Sequence, residues 1–94
     1  MKASAILTKA ANLVGGDRAA QHGPKRKNFE NIATLWNAYL SIRPDPLAPI
    51  GAVDVGMMLA DVKKARTQTG KFNTDDYTDL AGYAACAGEI AAEE

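Results

Sequence analysis

A run of basic residues at the entrance of a predicted helix is the first feature of the chain that could do chemistry. Residues 21–29 read QHGPKRKNF and hold the chain's one histidine, three consecutive cations and an asparagine. Free N–H groups in the first turn of a helix attract anions, and neighbouring cations strengthen that attraction. Two interpretations follow: a solvated turn in which Asn28 caps the helix, or a cradle for an anion such as phosphate.

Other cations stand where they could complete such a cradle. Arg18 and His22 belong to the segment before the helix, and Lys63 and Arg66 close a later helix, where the dipole also favours cations. Arginine offers phosphate a bidentate fork, and lysine offers a mobile point charge. His22 has no histidine or cysteine partner, so the pattern does not indicate zinc. The residues expected to bind phosphate or sugar are Arg18, His22, Lys25, Asn28, Lys63 and Arg66.

Four aspartates form two acidic lines on the last two predicted helices. Asp54 and Asp61 are seven residues apart and lie nearly on one helical face, while Asp76 and Asp79 are three apart on the next helix. Carboxylate oxygens on neighbouring helices could together hold a divalent cation such as Mg²⁺. The alternative is structural: Asp54 caps its own helix, and Asp76 complements the positive end of the helix that it opens.

Three aromatic residues could stack on a nucleotide base. Tyr83 follows Asp79 along one helical face, Phe72 lies in a polar loop, and Trp36 has the spacing of a core residue. Tyr83 therefore joins the expected ligand-binding set. The chain has no Ser–His–acid grouping, no Walker loop and no dinucleotide-binding glycine pattern, so it carries no strong catalytic signal.

Apolar residues at helical spacing predict the elements that position these side chains. Four long helices are expected, over residues 4–14, 24–42, 52–66 and 75–94, with a short helix over 18–22. The segment RPDPLAPIG is a stiff connection, and Thr74 is the expected N-cap of the last helix. The prediction is one all-α domain over residues 1–94, a compact bundle of about four helices.

Composition narrows the classes of function. Apolar residues are 47% of the 94 and aromatic residues only 6%, so we expect homo-oligomerisation to complete the small core. Lys+Arg and Asp+Glu are both 11, which gives no global field for binding nucleic acid. The single cysteine, Cys86, fits a reducing compartment, and the first residues are too polar for a membrane span. These features favour a cytoplasmic protein without a membrane partner.

Three segments carry a shared pattern: GDRAAQHGPKRKNFENIATLWNAYL, VDVGMMLADVKKAR and DDYTDLAGYAA. Its features fall on Arg18, His22-Gly23, Asn28-Phe29, Trp36, Lys63, Arg66, Asp76, Asp79 and Gly82-Tyr83. Together these segments resemble a family of small tailed-phage helical proteins of unknown function. The resemblance covers nearly the whole chain and implies a protein of an infected bacterial cell, without defining an activity.

The helix order is more distantly similar to that of the all-α, MazG-like nucleoside triphosphate pyrophosphohydrolases. Those enzymes hold magnesium with a Glu-x-x-Glu pair on one helix and a Glu-x-x-Asp pair on a later one. Asp76-x-x-Asp79 matches the second pair, but the first place is taken by Asp61-x-x-Lys64. Since a lysine repels a metal and attracts phosphate, the departure favours a pocket that holds a nucleotide without cleaving it.

Three functions remain open from the sequence. The favoured one is a phage nucleotide-binding protein that sequesters a phosphate-containing nucleotide, such as a cyclic signalling nucleotide, as a counter-defence sponge with no cofactor. The second is a Mg²⁺-dependent pyrophosphohydrolase whose metal is held by Asp61, Asp76 and Asp79, with Asp54 also catalytic. The third is a protein-interaction module that inhibits a host enzyme through the Ala-, Gly- and Met-rich helix faces.

Overall fold

The computed structural model of the chain describes residues 1–16 and 23–94, and these ranges hold four α-helices and no strand. The helices are α1 (Ala3–Gly15), α2 (Lys25–Ile42), α3 (Ala52–Arg66) and α4 (Thr74–Glu93). The all-α prediction is confirmed, and each of the four long helices begins and ends within one residue of its expected bounds. Arg18, His22 and the short helix expected over 18–22 lie outside the described residues.

Side-chain caps set the starts of the last two helices. Asp54 Oδ2 accepts a hydrogen bond of 2.9 Å from Gly51 N, so the interpretation of Asp54 as a cap of its own helix is confirmed. α4 is capped by Asn73, whose Oδ1 accepts a hydrogen bond of 3.0 Å from Asp75 N. The expectation of Thr74 as the cap is wrong by one residue, because Asn73 has the extended backbone of an N-cap and Thr74 is already helical.

α3 is the central helix, and α2 and α4 each pack against it. Small residues bring α3 and α4 close together: a Cβ atom added to Gly56 would lie 2.8 Å from the Cβ of Ala87. Between α2 and α3, Trp36 Nε1 donates a hydrogen bond of 2.8 Å to Met58 O, which satisfies the indole N–H. Because α2 and α4 both pack on α3, the direction of α3 determines which ends of α2 and α4 lie close together.

The core between these three helices is small. Its buried apolar side chains are Met58, Ala60, Ala65 and Ala87. Among the described residues no large side chain is fully buried. The apolar residues nearly all round α3 predict burial in the centre of the domain or at a subunit interface. Val55 and Leu59 are 49% and 37% exposed, so one stripe of the central helix is uncovered in the chain.

α1 adds nothing to this core, because every residue from Ala3 to Gly15 is exposed. Its apolar stripe faces solvent, with Leu7 69% and Val14 52% exposed. In residues 1–16 and 23–94 no helix is long and apolar enough to cross a membrane.

Candidate functional site

One end of the three packed helices, here called the basic end, brings together Lys25, Asn28, Lys63 and Arg66 from the residues that the sequence singles out for anion binding. It comprises the first turn of α2, the last turn of α3, the loop 67–73 and the first turn of α4. Two close approaches define it. A Cβ atom on Gly23 would lie 2.7 Å from Gly70 N, and Lys63 Nζ lies 3.0 Å from Asp79 Oδ2. Gly23 and Gly70 have φ angles of 72° and 73°, a region that favours glycine and makes this approach possible.

The first turn of α2 presents positive charge, and no side chain of residues 1–16 and 23–94 is seen to cap it. Its N-cap is Pro24, which makes no side-chain cap, and the turn holds no acidic residue. Lys25, Arg26 and Lys27 are all exposed there. The free N–H groups of the turn and these three cations act on an anion in the same direction.

Asn28 is buried inside α2 and is not its cap. Its N donates a hydrogen bond of 3.1 Å to Pro24 O, so the capping interpretation is wrong: the helix has already begun at Lys25. The residue is 4% exposed, and its Oδ1 is buried without a hydrogen-bond partner among the described residues. A buried acceptor without a partner carries a desolvation cost of about 1–3 kcal/mol.

A groove of about 400 Å³ runs between α2 and α3 from the basic end. It is lined by Phe29, Ile32, Ala33, Trp36, Val62 and Arg66. Phe29 is 67% exposed and also lines a neighbouring depression together with Lys25 and Arg26. The structure therefore brings the end of α3 beside the entrance of α2, the arrangement that the phosphate cradle requires.

Arg66 differs from the two lysines that precede it in α3. Lys63 Nζ is paired with Asp79 at 3.0 Å, and Lys64 Nζ with Asp61 at 3.5 Å. No carboxylate of the described residues pairs with Arg66, and its buried Nε has no hydrogen-bond partner there. A half-buried guanidinium that no described carboxylate neutralises is suited to an anionic ligand.

Asp54 lies at the opposite end of α3 from Arg66. Its Oδ1 accepts a hydrogen bond of 2.7 Å from Tyr39 Oη, and its Oδ2 lies 3.1 Å from Arg43 Nη1. The Gly51 N–H bond, followed by that of Tyr39, holds the pKa of Asp54 below its ordinary value. Desolvation, with the Asp54 hydrogen bond, raises the pKa of Tyr39 to about 12. Asp54 is therefore fully engaged in joining α2 to α3.

The other three aspartates do not assemble into a metal site. Asp61 is 8% exposed beside Lys64, Asp79 pairs with Lys63, and Asp76 is 5% exposed at the start of α4. Within the described ranges, no group of three His, Cys, Asp or Glu residues could hold a metal ion. The residues present there do not fit the magnesium centre of the alternative hypothesis.

Two aromatic residues of the sequence hypothesis lie away from the groove. The backbone of Tyr83 sits against Gly56, which is ten residues, or about 15 Å, along α3 from Arg66. Phe72 is 79% exposed and packs on Tyr77 with ring centroids 5.8 Å apart. Sequence reasoning missed Phe29 as the aromatic residue beside Arg66, although its place one residue after Asn28 in the basic run was a usable signal.

Comparison with known proteins identifies the family of the chain. It is 35% identical over 85 residues to "Gene 55 protein" of Mycobacterium phage D29, and 37% identical over 82 residues to "Gene 55 protein" of Mycobacterium phage L5. These alignments cover 90% and 84% of the chain but 52% and 47% of the relatives, so the chain spans about half of their length. No solved structure matches the chain. A family model matches residues 5–91, and the chain belongs to that family of phage proteins, described as "Domain of unknown function (DUF6378)".

Proposed function

We propose that the protein binds a phosphate-containing nucleotide at the basic end and holds it without cleaving it. The observation that carries the proposal is Arg66, a half-buried cation that has no carboxylate partner among the described residues and lines a groove with Phe29 and Trp36. A guanidinium in that setting recognises phosphate with two parallel hydrogen bonds, and the aromatic faces stack on a base.

The rest of the basic end supports the same ligand chemistry. Lys25 and the uncapped first turn of α2 supply a second phosphate contact next to Phe29. The buried Oδ1 of Asn28 can accept a hydrogen bond from a donor group of the ligand, because no described residue donates to it. Lys63 remains a predicted ligand although it is paired with Asp79, and Arg18 and His22 remain predicted ligands outside the described residues.

The pairing of the carboxylates supports retention without cleavage. A MazG-like hydrolysis needs several carboxylates around its metals to activate water and neutralise the leaving group. Here Asp54 is bound to Tyr39 and Arg43, while Asp61 and Asp79 each face a lysine. Each lysine neutralises the carboxylate that it pairs with, which leaves that carboxylate poorly suited to hold a metal.

The chain has relatives in two mycobacteriophages, and these give the proposal its biological context. A phage protein that removes a signalling nucleotide from solution would blunt a host defence that depends on that nucleotide. The expected ligands are cyclic dinucleotides, cyclic ADP-ribose derivatives and nucleoside triphosphates, all of which present phosphate beside a base.

The test is to incubate purified protein with these nucleotides and Mg²⁺, measure the free ligand by chromatography and mass spectrometry, and then denature the protein. A ligand that disappears and returns intact supports sequestration. A ligand that returns cleaved contradicts it and favours the pyrophosphohydrolase, and a panel in which no ligand is depleted rejects both.

A matched pair of variants tests whether the ligand binds in the groove beside Arg66. Arg66→Ala is expected to weaken binding by at least about tenfold, since hydrogen bonds between charged groups contribute about 1.5–3 kcal/mol. Lys64→Ala removes a cation two residues away that is 58% exposed, pairs with Asp61 and lines a different depression, so affinity should be retained. Equal losses in both variants would indicate general electrostatic attraction and reject the groove as the site.

A further inference from the structure

The chain exposes more surface than a compact monomer of its size. Its accessible surface is 6750 Å², whereas a folded monomer of 10.0 kDa exposes about 5,200 Å². The radius of gyration is 15.5 Å, against about 12 Å for a compact domain of 94 residues. The excess of about 1,500 Å² is larger than the roughly 800 Å² per partner that a standard protein interface buries.

The uncovered stripe of α1 is part of this exposed surface. Its large apolar side chains are 41–69% exposed: Ile6, Leu7, Leu13 and Val14. Lys2 and Lys9 lie seven residues apart along one border of that stripe. The first turn of α1 has no acidic residue, so the positive end of its dipole is uncompensated within the helix.

The outer face of α4 has the complementary properties. On the side opposite Ala87, small residues leave a shallow exposed surface at Ala81, Gly82, Ala85 and Ala92. A Cβ atom on Gly82 would have no neighbour within 4 Å. Glu89 and Glu93 are exposed in this half of the helix, and its last turn has no basic residue. The negative end of the α4 dipole is therefore also uncompensated.

We propose that a second copy of the chain covers these faces, with α1 of each protomer lying antiparallel on the outer face of α4 of the other. The large side chains of α1 fit against the small residues of α4, which allow the helix axes to approach closely. The antiparallel direction places the start of α1 beside the acidic end of α4 and Lys9 beside Glu89, so that each helix supplies the charge that the other lacks.

Two features favour a second copy over an unrelated partner. Both faces belong to the same chain, so a dimer with two-fold symmetry contains two identical contacts between α1 and α4 and is a closed assembly. The excess exposed surface exceeds what a standard interface buries per partner, and no residue of α1 or α4 lines the groove between α2 and α3. The inference does not depend on the proposed function.

The first experiment is light scattering during size-exclusion chromatography, with helix content followed by circular dichroism. The wild type is expected to be a dimer. Ile6→Glu is expected to be a monomer of unchanged fold, because Ile6 is 52% exposed and supports no core. Asn12→Glu changes the opposite face of α1 and should remain dimeric. A monomeric wild type, or an Ile6→Glu protein that stays dimeric, overturns the proposal, including the case where α1 docks on its own chain.

The second experiment tests α4 as the receiving surface. Lys9→Glu and Glu89→Lys alone should each weaken dimerisation about tenfold, since an isologous interface contains the pair twice. The double variant should recover most of the wild-type affinity. Additive losses without recovery would show that Lys9 and Glu89 do not meet and would reject this arrangement. Nucleotide binding is measured separately on the Ile6→Glu monomer, so that a failure of the dimer proposal is distinguished from a failure of the proposed function.

Discussion

Arg43 and Asp54 join the end of α2 to the start of α3 through an ion pair of 3.1 Å between Nη1 and Oδ2. Both side chains are largely shielded from solvent, at 10% and 18% exposure. The second guanidinium nitrogen of Arg43 donates to Ala48 O at 2.7 Å and to Pro46 O at 3.1 Å. One arginine therefore clamps the proline-rich connection and the capping carboxylate of α3 together.

Arg43→Lys is expected to destabilise the protein although it keeps the charge. A lysine cannot reach the carboxylate and both loop carbonyls at once, so we expect the free energy of unfolding to fall by about 1–3 kcal/mol in urea denaturation. The control is Arg26→Lys, whose pair with Glu30 spans 3.9 Å with the arginine 90% exposed, and it should have almost no effect. Equal stabilities of the two variants would contradict a clamp at Arg43.

Tyr39 limits the stability of the junction between α2 and α3 at alkaline pH. Its pKa is raised from 10.0 to about 12, mainly by desolvation, so the folded state favours the neutral phenol. Stability from this group is complete below pH 10.0 and is lost as the pH rises towards about 12. Ultraviolet titration of phenolate should show a step near 12 that Tyr39→Phe removes. Persistence of that step in the variant would assign it to another group.

The lowered pKa of Asp54 predicts a loss of stability at acidic pH. Because its folded pKa lies below the ordinary 3.8, the stability it contributes is complete above 3.8 and is lost as the pH falls through the folded value. Thermal melts of the wild type and Asp54→Asn should differ at neutral pH and converge in acid. A constant difference down to low pH would show that the charge of Asp54 does not stabilise the fold.

Gly56 and Gly88 predict opposite responses to the same substitution. Gly56→Ala puts a methyl group 2.8 Å from the Ala87 Cβ and should lower stability, with overpacking of about 1–3 kcal/mol outweighing the better helix propensity. Gly88→Ala meets nothing within 4 Å and should raise the free energy of unfolding by about 0.5–1 kcal/mol. Thermal melts of both variants measure the difference, and a gain in both would contradict close contact between α3 and α4.

The helices were predictable from sequence because their signals are local. Periodic apolar residues, the Gly15-Gly16 break and the run of prolines after Arg43 fix the helix bounds without any tertiary contact. Burial was less predictable, because it depends on which helices meet. Val55 and Leu59 have the pattern of core residues and are half-exposed, since α2 and α4 leave that stripe of α3 uncovered.

The site was predictable in composition but not in its pairings. Sequence placed Lys63, Lys64 and Arg66 together as one basic turn, whereas the structure pairs the two lysines with Asp79 and Asp61. The Lys64–Asp61 pair lies within α3 at a spacing of three residues, but the Lys63–Asp79 pair depends on the distance between α3 and α4, which no spacing rule encodes. The same limit explains Asn28, whose residue type suits a cap and whose position is one turn inside the helix.

Asn28→Leu should separate stability from ligand binding. The Oδ1 of Asn28 is buried without a partner among the described residues, so replacing the amide with an apolar side chain of similar size removes a desolvation cost. We expect the free energy of unfolding to stay the same or rise by up to about 1–3 kcal/mol, while nucleotide affinity falls.

Asn31→Leu is the matched control for this variant. Asn31 lies one turn further along α2, lines the depression that contains Lys64, and should leave affinity unchanged. Urea denaturation and calorimetric titration of both variants measure the two quantities independently. A large loss of stability in Asn28→Leu would mean that the amide already serves the fold. Unchanged stability with unchanged affinity would remove Asn28 from the proposed site while leaving Arg66 in it, because the two residues belong to different helices.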